Sequence, residues 1–525
     1  MEIFIFLSWL PQAIQQLLTW TYWLQIKEYR LDRFFSFMKL REGRLNLGVV
    51  GIIIKISIIL LNPNFLLLIF VFLIFDTIFL KNILLGNLRR PEITERIKNI
   101  WLVCLFSLIL TFCFLYFNKI SISKTFFLGE ILLILTPFLG IFLTIPLVRR
   151  AKRMEREKAI KVISKYNPIT IGITGSYGKT TTKDFLTQIL STKYNVLSTL
   201  KNQNTFFGVL RRVNNYLNKD HQFLVAEIGA YKIGEIREVA EIIKPEAAFI
   251  TGIEPQHLDI FGNIENLKRA KFELVESLKD GGMLFVNANS YLALEFVERA
   301  EKLGKNIKCF TYFVGNDSKL GDHKYSAFSK VEILRDDGIE FSIKVFDERK
   351  KIKTNIVSKS FIQNLTGVIL AARMFGIGWK EIERESKKLY LPDGTLNITK
   401  IKKGITLIDD SYNSSFSGFK AALEVLFSVS SGRKIIVTTG IIELGKESDT
   451  VHENLGDLIG KNADIVILRN GDFFKPLSKG IKGRCELIYI RDQERIIDYL
   501  EKEIKEKDSV LIEGRLPKVV EYFSK

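Results

Sequence analysis

The chain has 525 residues, too many for one ordinary domain, and its 47% hydrophobic against 26% charged residues exclude a disordered chain. Four scattered cysteines, Cys104, Cys113, Cys309 and Cys485, exclude a disulfide framework or a thiolate metal site. The net charge of +18 gathers early: residues 1–160 hold 20 Lys and Arg against 10 Asp and Glu, placed between apolar runs, which suits an anionic membrane surface and argues against nucleic acid as a partner.

In chain order, four apolar regions come first. Residues 3–22 are moderately apolar but hold Pro11, Gln12, Gln15 and Gln16. Residues 45–80 form a long run broken by Lys55 and by Asn62-Pro63-Asn64. Residues 100–118 are almost wholly apolar, and 125–148 are apolar apart from Glu130, with Pro137 and Pro146 inside. A span needs about 20 apolar residues to cross a hydrocarbon core about 30 Å thick, and a helix satisfies its own backbone there. The 45–80 run reads either as one tilted span or as a hairpin turning at Asn62-Pro63-Asn64. Basic clusters within 23–46, 81–99 and 149–158 favour one cytoplasmic side, which the hairpin permits. The expectation is an all-helical transmembrane domain over residues 1–150, with four or five spans in the inner cell membrane. The lipid bilayer is then a partner, the N-terminus lies outside, and the rest of the chain is cytoplasmic. A signal peptide is not expected, because no basic segment precedes the first run and no small-x-small site follows it. For Glu130 and Asp76, burial against other helices or a place near the interface outweighs an ion path.

Residues 151–167 read as a basic cytoplasmic linker. Beyond it, short β-rich runs alternate with charged helical stretches, the rhythm of a mostly parallel sheet covered on both faces. Expected strands are Ile169–Ile173, Phe223–Glu227, Ala247–Thr251 and Met283–Asn287, with a helix over Thr181–Leu190. Asp336-Asp337-Gly338 reads as a hairpin turn between 330–335 and 339–346. A second α/β domain is expected over 389–525, after a first over 168–388. Its strands are Ile405–Ile408, Ile435–Thr439, Ala463–Leu468, Cys485–Ile490 and Ser509–Glu513.

The sharpest chemical feature is Gly172-Ile-Thr174-Gly175-Ser176-Tyr177-Gly178-Lys179-Thr180-Thr181. A strand leads in and a helix leads out. Glycines turn backbone N–H groups toward an anion, and the helix N-terminus adds positive potential. Lys179 is placed to reach the β- and γ-phosphates of ATP, and the Thr180 hydroxyl to ligate Mg²⁺. The strict phosphate-loop pattern wants glycine where Ile173 stands. Glu227 ends an apolar strand, where parallel sheets carry their ligand chemistry, and is placed to hold a second Mg²⁺ or its water. His257 follows another strand end and by itself is an ordinary loop histidine.

Several blocks together resemble the Mur ligase family over about 168–525. They are Thr174–Thr181; Asn202-Gln203-Asn204-Thr205 with Gly208; Glu227-Ile228-Gly229; and His257 through Gly262, then Ala270-Lys271-Phe272-Glu273. Asp409-Asp410-Ser411-Tyr412-Asn413 and Glu443-Leu444-Gly445 with His452 follow. The blocks are most like those of members that add D-Ala-D-Ala to a UDP-muramoyl tripeptide. The resemblance implies a phosphate-loop central domain and a Rossmann-like C-terminal domain. It implies an ATP- and Mg²⁺-dependent ligase that activates a carboxylate as an acyl phosphate and displaces phosphate with an amine. The partners it implies are a UDP- or lipid-linked cell-wall peptide precursor and an amino acid or dipeptide. By the same resemblance Lys179, Glu227, His257 and Lys271 are catalytic, and Thr180, Glu227, His257 and Lys271 surround the metal. Lys271 matches the lysine that the family carbamylates. Asn364 matches the adenine-side asparagine and Asp410 an aspartate near the ribose, while Asn202, Asn204, Thr205, Tyr412 and Asn413 face the substrate.

The chemistry of the residues agrees: a carboxylate and ATP repel each other, and cations are needed to bring them together. The departures concern substrate recognition. The family's N-terminal UDP-sugar domain is missing and the apolar region stands in its place. Pro392-Asp393-Gly394-Thr395 replaces a Gly-Arg, Ser360 a histidine, and Glu513-Gly514-Arg515 a Lys-Gly-Ser. The competing readings are a poly-γ-glutamate-type ligase, and a non-catalytic ATP-binding scaffold motivated by the missing arginine. A transporter has no ATPase signature to support it.

Overall fold

The structure, a computed structural model, describes residues 2–524 apart from 62–64, 85–87, 201–202, 256–257, 316–324, 336–337, 393, 402–403 and 412–413. The chain divides into two compact units, Met1–Arg153 and Met154–Lys525.

The first unit is helical among its described residues. Its helices are Glu2–Ile26, Leu31–Lys39, Arg41–Asn46, Val49–Leu60, Phe65–Leu84, Glu95–Phe117 and Ile122–Leu143, followed by Ile145–Tyr166. The 45–80 run is thus two helices, and its expected turn at Asn62-Pro63-Asn64 lies outside the described residues. Trp9, Phe72, Phe126 and Leu133 form one apolar core, and Trp20, Phe34, Ile100 and Ile141 another. Glu130 is fully buried and paired: Lys55 Nζ lies 2.9 Å from Oε2, and Trp9 Nε1 donates to Oε1 at 2.9 Å. Lys55 also donates to Gln16 Oε1 at 3.2 Å, so its charge is met on two sides. The expected four or five spans become three among the described residues. By length and composition, Leu66–Leu84, Glu95–Phe117 and Ile122–Tyr166 are long and apolar enough to cross a membrane. Val49–Leu60 is apolar but short, and the first run, diluted by its glutamines, does not qualify.

In the second unit, residues 154–166 belong to the helix Ile145–Tyr166, and Ala159 and Ile163 are buried against Leu210 and Val213. The first sheet contains β1 (Ile169–Thr174), β2 (Val196–Ser198), β3 (Phe223–Glu227), β4 (Ala247–Ile250) and β5 (Met283–Asn287). β6 (Lys308–Val314), β7 (Ala327–Arg335), β8 (Gly338–Val345) and β9 (Glu348–Thr354) complete it. Their spatial order is β2-β3-β1-β4-β5-β6-β7-β8-β9. Pairing is parallel as far as β7 and antiparallel through β8 and β9. The expected hairpin is therefore an extension of the same sheet; the turn residues Asp336 and Asp337 lie outside the described residues.

Apolar side chains on both faces of the parallel strands require two covers. Helices Lys179–Leu190 and Lys359–Met374 pack one core through Phe185, Leu186, Leu365 and Ile369. Helices Phe206–Tyr216, Glu235–Ile243, Ile264–Glu276 and Tyr291–Glu301 cover the other face. Gly172 permits one of these contacts, since a Cβ there would stand 2.6 Å from the Leu274 side chain.

The second sheet contains β10 (Asn397–Lys400), β11 (Thr406–Asp410), β12 (Lys434–Thr438), β13 (Ile465–Leu468), β14 (Glu486–Tyr489) and β15 (Ser509–Glu513). The order is β10-β11-β15-β12-β13-β14, parallel except for the edge strand β10. β15 enters the middle last, and its apolar Val510, Leu511 and Ile512 are wholly buried.

Candidate functional site

β1 lies between β3 and β4, so the connection leaving its carboxyl end opens where neighbouring strands diverge in order. Residues 175–178 turn there, and the helix Lys179–Leu190 begins two residues earlier than expected. Gly178 has φ +73°, a left-handed conformation open to glycine, and Asn364 Oδ1 would lie 2.6 Å from a Cβ placed on it. Asn364 thus lies against the loop.

The loop is tied to β4 and the segment after it. Ser176 N donates to Gly252 O at 2.7 Å, Ser176 Oγ donates to Glu254 O at 3.0 Å, and Glu254 N donates to Ser176 Oγ at 3.1 Å. Thr251 Oγ1 donates to Tyr177 O. The Tyr177 ring lies over Gly252, and burial pushes its hydroxyl well above the ordinary tyrosine range. Thr174 Oγ1 donates to Ile228 O at 2.8 Å, which joins β1 to the end of β3.

Lys179 folds back on the loop, donating to Gly175 O at 2.9 Å and Ser176 O at 3.2 Å. Burial lowers its pKa and the charge of Glu227 opposes the shift. Thr180 Oγ1 donates to Glu227 Oε2 at 2.8 Å. Asn204 Nδ2 donates to Glu227 Oε1 at 3.0 Å, and Gly229 N donates to Asn204 O at 2.8 Å. Glu227 is thus held from both sides at the end of β3. Thr205 caps the helix Phe206–Tyr216, and Thr181 is buried in the helix after the loop.

Lys271 is buried on the helix Ile264–Glu276. Burial, then the charge of Lys179, pulls its pKa down to about 7, against the opposing charges of Glu235, Glu227 and Glu273. Its amine is therefore half neutral near neutral pH. Glu273 accepts from Gly234 N and Arg237 N, at 2.5 Å and 3.0 Å, and so satisfies the start of the helix Glu235–Ile243.

The structure thus brings Thr174 through Thr181, Asn204, Glu227, Lys271 and Asn364 to one edge of the first sheet. Asn202, His257, Tyr412 and Asn413 lie outside the described residues. Asp410 ends β11 in the second sheet, opposite Glu513 on β15. The two buried carboxyls hydrogen bond to each other. Burial raises both above the usual carboxylate range, and the charge of Asp410 raises Glu513 further. Leu396 N donates to Asp410 Oδ1 at 3.2 Å and Ser414 Oγ to Glu513 Oε1 at 2.8 Å. His452 is committed to its surroundings: Nε2 accepts from Ile441 N at 3.1 Å, and the ring stacks on Phe473. Sequence reading missed Glu254 and its partner Ser417, 163 residues apart, because nothing local signals the pairing.

Among the described residues no three His, Cys, Asp or Glu side chains cluster as a ligand set. The oxygen donors Thr180 and Glu227 nevertheless meet near Lys179 of the loop and Lys271 of the helix Ile264–Glu276. A hydroxyl and a carboxylate suit a magnesium ion that keeps most of its waters and takes phosphate oxygens as ligands. The site fits Mg²⁺ with a polyphosphate.

Comparison with known proteins matches residues 173–372 to the Mur ligase middle domain and 396–516 to the Mur ligase glutamate ligase domain. A UDP-N-acetylmuramoyl-tripeptide--D-alanyl-D-alanine ligase of Bacillus subtilis is 29% identical over 335 residues, 63% of this chain and 68% of the relative. The ligase of the same name from Rickettsia prowazekii is 28% identical over 363 residues, 67% of this chain and 77% of the relative. The crystal structure of MurF from Acinetobacter baumannii aligns with a TM-score of 0.63 at 25% identity, over 71% of this chain and 79% of that one. These findings correct the expected location as a multi-pass protein of the cell membrane, because the relatives are of a soluble cytoplasmic kind. Hydropathy registers how apolar a helix is and does not register where the chain resides.

Proposed function

From residue 173 to residue 516 the chain belongs to the Mur ligase family, and on that premise we propose that it adds D-Ala-D-Ala, or an amino acid in its place, to the peptide of a cell-wall precursor. The activity itself, ATP-dependent amide-bond formation in peptidoglycan-precursor synthesis, is that of the family. The observation that carries the reading is the Thr180–Glu227–Asn204 hydrogen-bond chain lying beside Lys179 and Lys271.

In this reading Lys179 leaves the carbonyls of Gly175 and Ser176 and moves onto the β- and γ-phosphates, while loop N–H groups hold their oxygens. Thr180 and Glu227 hold Mg²⁺, with His257 assigned to the same site by the resemblance. The ion supplies positive charge to the phosphate oxygens. Asn204 keeps Glu227 turned toward Thr180. The acceptor carboxylate attacks the γ-phosphorus, ADP leaves, and the amine then displaces phosphate from the acyl phosphate. Asn364 lies on the adenine side, and Asp410 approaches the ribose from the C-terminal domain. By the resemblance, Asn202, Thr205, Tyr412 and Asn413 are assigned to substrate binding.

A neutral Lys271 amine attacks CO₂, loses a proton and becomes a carbamate. That converts a cation beside Lys179 into an anion with two oxygen donors. Residues 1–150 form a separate helical domain where the family holds its UDP-sugar domain. The full chain with ATP, Mg²⁺, UDP-muramoyl tripeptide and D-Ala-D-Ala should release phosphate only when acceptor and amine are both present. Phosphate release independent of every peptide and amine offered would defeat the ligase reading.

A further inference from the structure

Glu254 stands in the connection after β4, four residues beyond Ile250, and plays no part in the chemistry described above. Its two ends do different things. Its backbone clasps the phosphate loop, since its N–H donates to Ser176 Oγ and its carbonyl accepts from the same hydroxyl. Its side chain reaches into the C-terminal domain, where Ser417 Oγ donates to Oε2 at 2.8 Å.

Ser417 is the second residue of the helix Phe416–Val429. The first N–H groups of a helix have no partner within it, and that end carries positive potential. The helix's own cap, Ser415, takes the N–H of Gly418 at 3.1 Å. A carboxylate from the nucleotide-binding domain thus meets, through the Ser417 hydroxyl, the first turn of a helix in the other domain. The same helix follows the 411–415 segment that leaves Asp410. Leu258–Phe261 also packs against Gly445–Glu447, a second place where the two domains meet.

We propose that Glu254 is a positioning residue that locks the C-terminal domain onto the phosphate loop, so that the shape of the occupied loop sets domain closure for the amine-transfer step. The inference rests on the ligase reading. Closure matters because an acyl phosphate exposed to water is hydrolysed, and the helix Phe416–Val429 must arrive in register for the amine site to form. One short path, by hydrogen bonds from Ser176 to the Glu254 backbone and then along that residue to its carboxylate, links the two events.

The test uses the full chain and the variants Glu254→Ala, Glu254→Gln, Ser417→Ala and the double variant Glu254→Ala/Ser417→Ala. Loss of a charge-assisted hydrogen bond should lower kcat by about tenfold in Glu254→Ala, with KM for ATP within about twofold of the parent. Ser417→Ala removes the same hydrogen bond from the other side and should also lose about tenfold. The double variant should be no slower than Glu254→Ala. Glu254→Gln still accepts from the Ser417 hydroxyl and should recover most of the rate. Additive losses in the double variant, or a raised KM for ATP with kcat intact, overturn the proposal.

A second readout does not depend on amide formation. X-ray scattering of the full chain should show contraction on adding Mg²⁺ and ADP, and Glu254→Ala should bind ADP with parental affinity by calorimetry yet fail to contract. Contraction equal to the parent's overturns the lock even if no ligase substrate is found. Absence of amide formation in the parent, with contraction lost only in Glu254→Ala, overturns the ligase reading and leaves the lock standing.

Discussion

The two parallel sheets of the second unit both end strands in buried carboxylates, and the surroundings of those carboxylates are opposite. At the edge of the first, Glu227 is held by a hydroxyl and an amide and lies near two lysines. At the edge of the second, Asp410 faces Glu513 with no lysine bonded to either among the described residues. The same βαβ geometry thus makes an anion-receiving site in one place and a proton-holding pair in the other. Strand ends supply position, and the residues placed there decide the charge.

The largest expected effect breaks the first edge. Lys179→Ala should reduce ATP turnover by about a thousandfold or more, as removal of a key phosphate-charge stabiliser does, while circular dichroism stays unchanged. Turnover within tenfold of the parent would remove Lys179 from the chemistry. Next, Lys271→Ala should lose about a hundredfold and regain part of it with short carboxylic acids, which replace the missing oxygen donors. In the parent, rates at fixed CO₂ should rise as pH passes about 7, where the Lys271 amine becomes neutral.

Stability sharpens the same contrast. Unfolded, Lys271 holds its proton to near its ordinary value of 10.5; folded, it releases it at about 7. Between those values the unfolded chain binds more protons, so this residue makes stability rise with pH. Lys271→Met should flatten that slope in denaturant titrations across the window. The acid pair acts in the other direction. Asp410 and Glu513 keep protons that the unfolded chain gives up at ordinary carboxylate values, so their contribution falls as pH rises from there through about 7. Glu513→Gln, which donates to Asp410 without titrating, should stabilise the chain by about 1 kcal/mol at pH 7.5 and leave it unchanged or weaker at pH 4. A parallel shift at both pH values would show that no proton is shared. The smallest effect is expected from Ser414→Ala, about 1 kcal/mol or less, from loss of one hydrogen bond to Glu513.

The strand β1, its glycine-rich turn and the helix after it were legible because all their signals are local: an apolar run, glycines and a helix start within a few residues of one another. Glu227 was legible for a related reason, as the polar end of a wholly apolar strand. β2 was not, because three residues give no period to read. β10 is an edge strand with exposed lysine, and β6 carries Lys308 and Thr311, so neither resembles a buried parallel strand. The first apolar region read as a span on its average composition, while its Gln16 accepts from Lys55 of the buried Lys55–Glu130 pair. The membrane location inferred from such averages did not stand.

What the sequence determined by itself was the kind of chemistry and the alternation of strands and helices, since both are written in residues that lie next to one another. Tertiary structure alone decided which distant groups meet. The Lys271 amine has its pKa pulled down to about 7 because its helix buries it and, second, because the charge of Lys179 stands nearby. Asp410 and Glu513 became partners because β15, the last strand in the chain, inserts between β11 and β12. Glu254 met the Ser417 hydroxyl across 163 residues because the two domains fold against each other there. Burial and proximity set those charges, and both are properties of the packed chain that no stretch of residues carries alone.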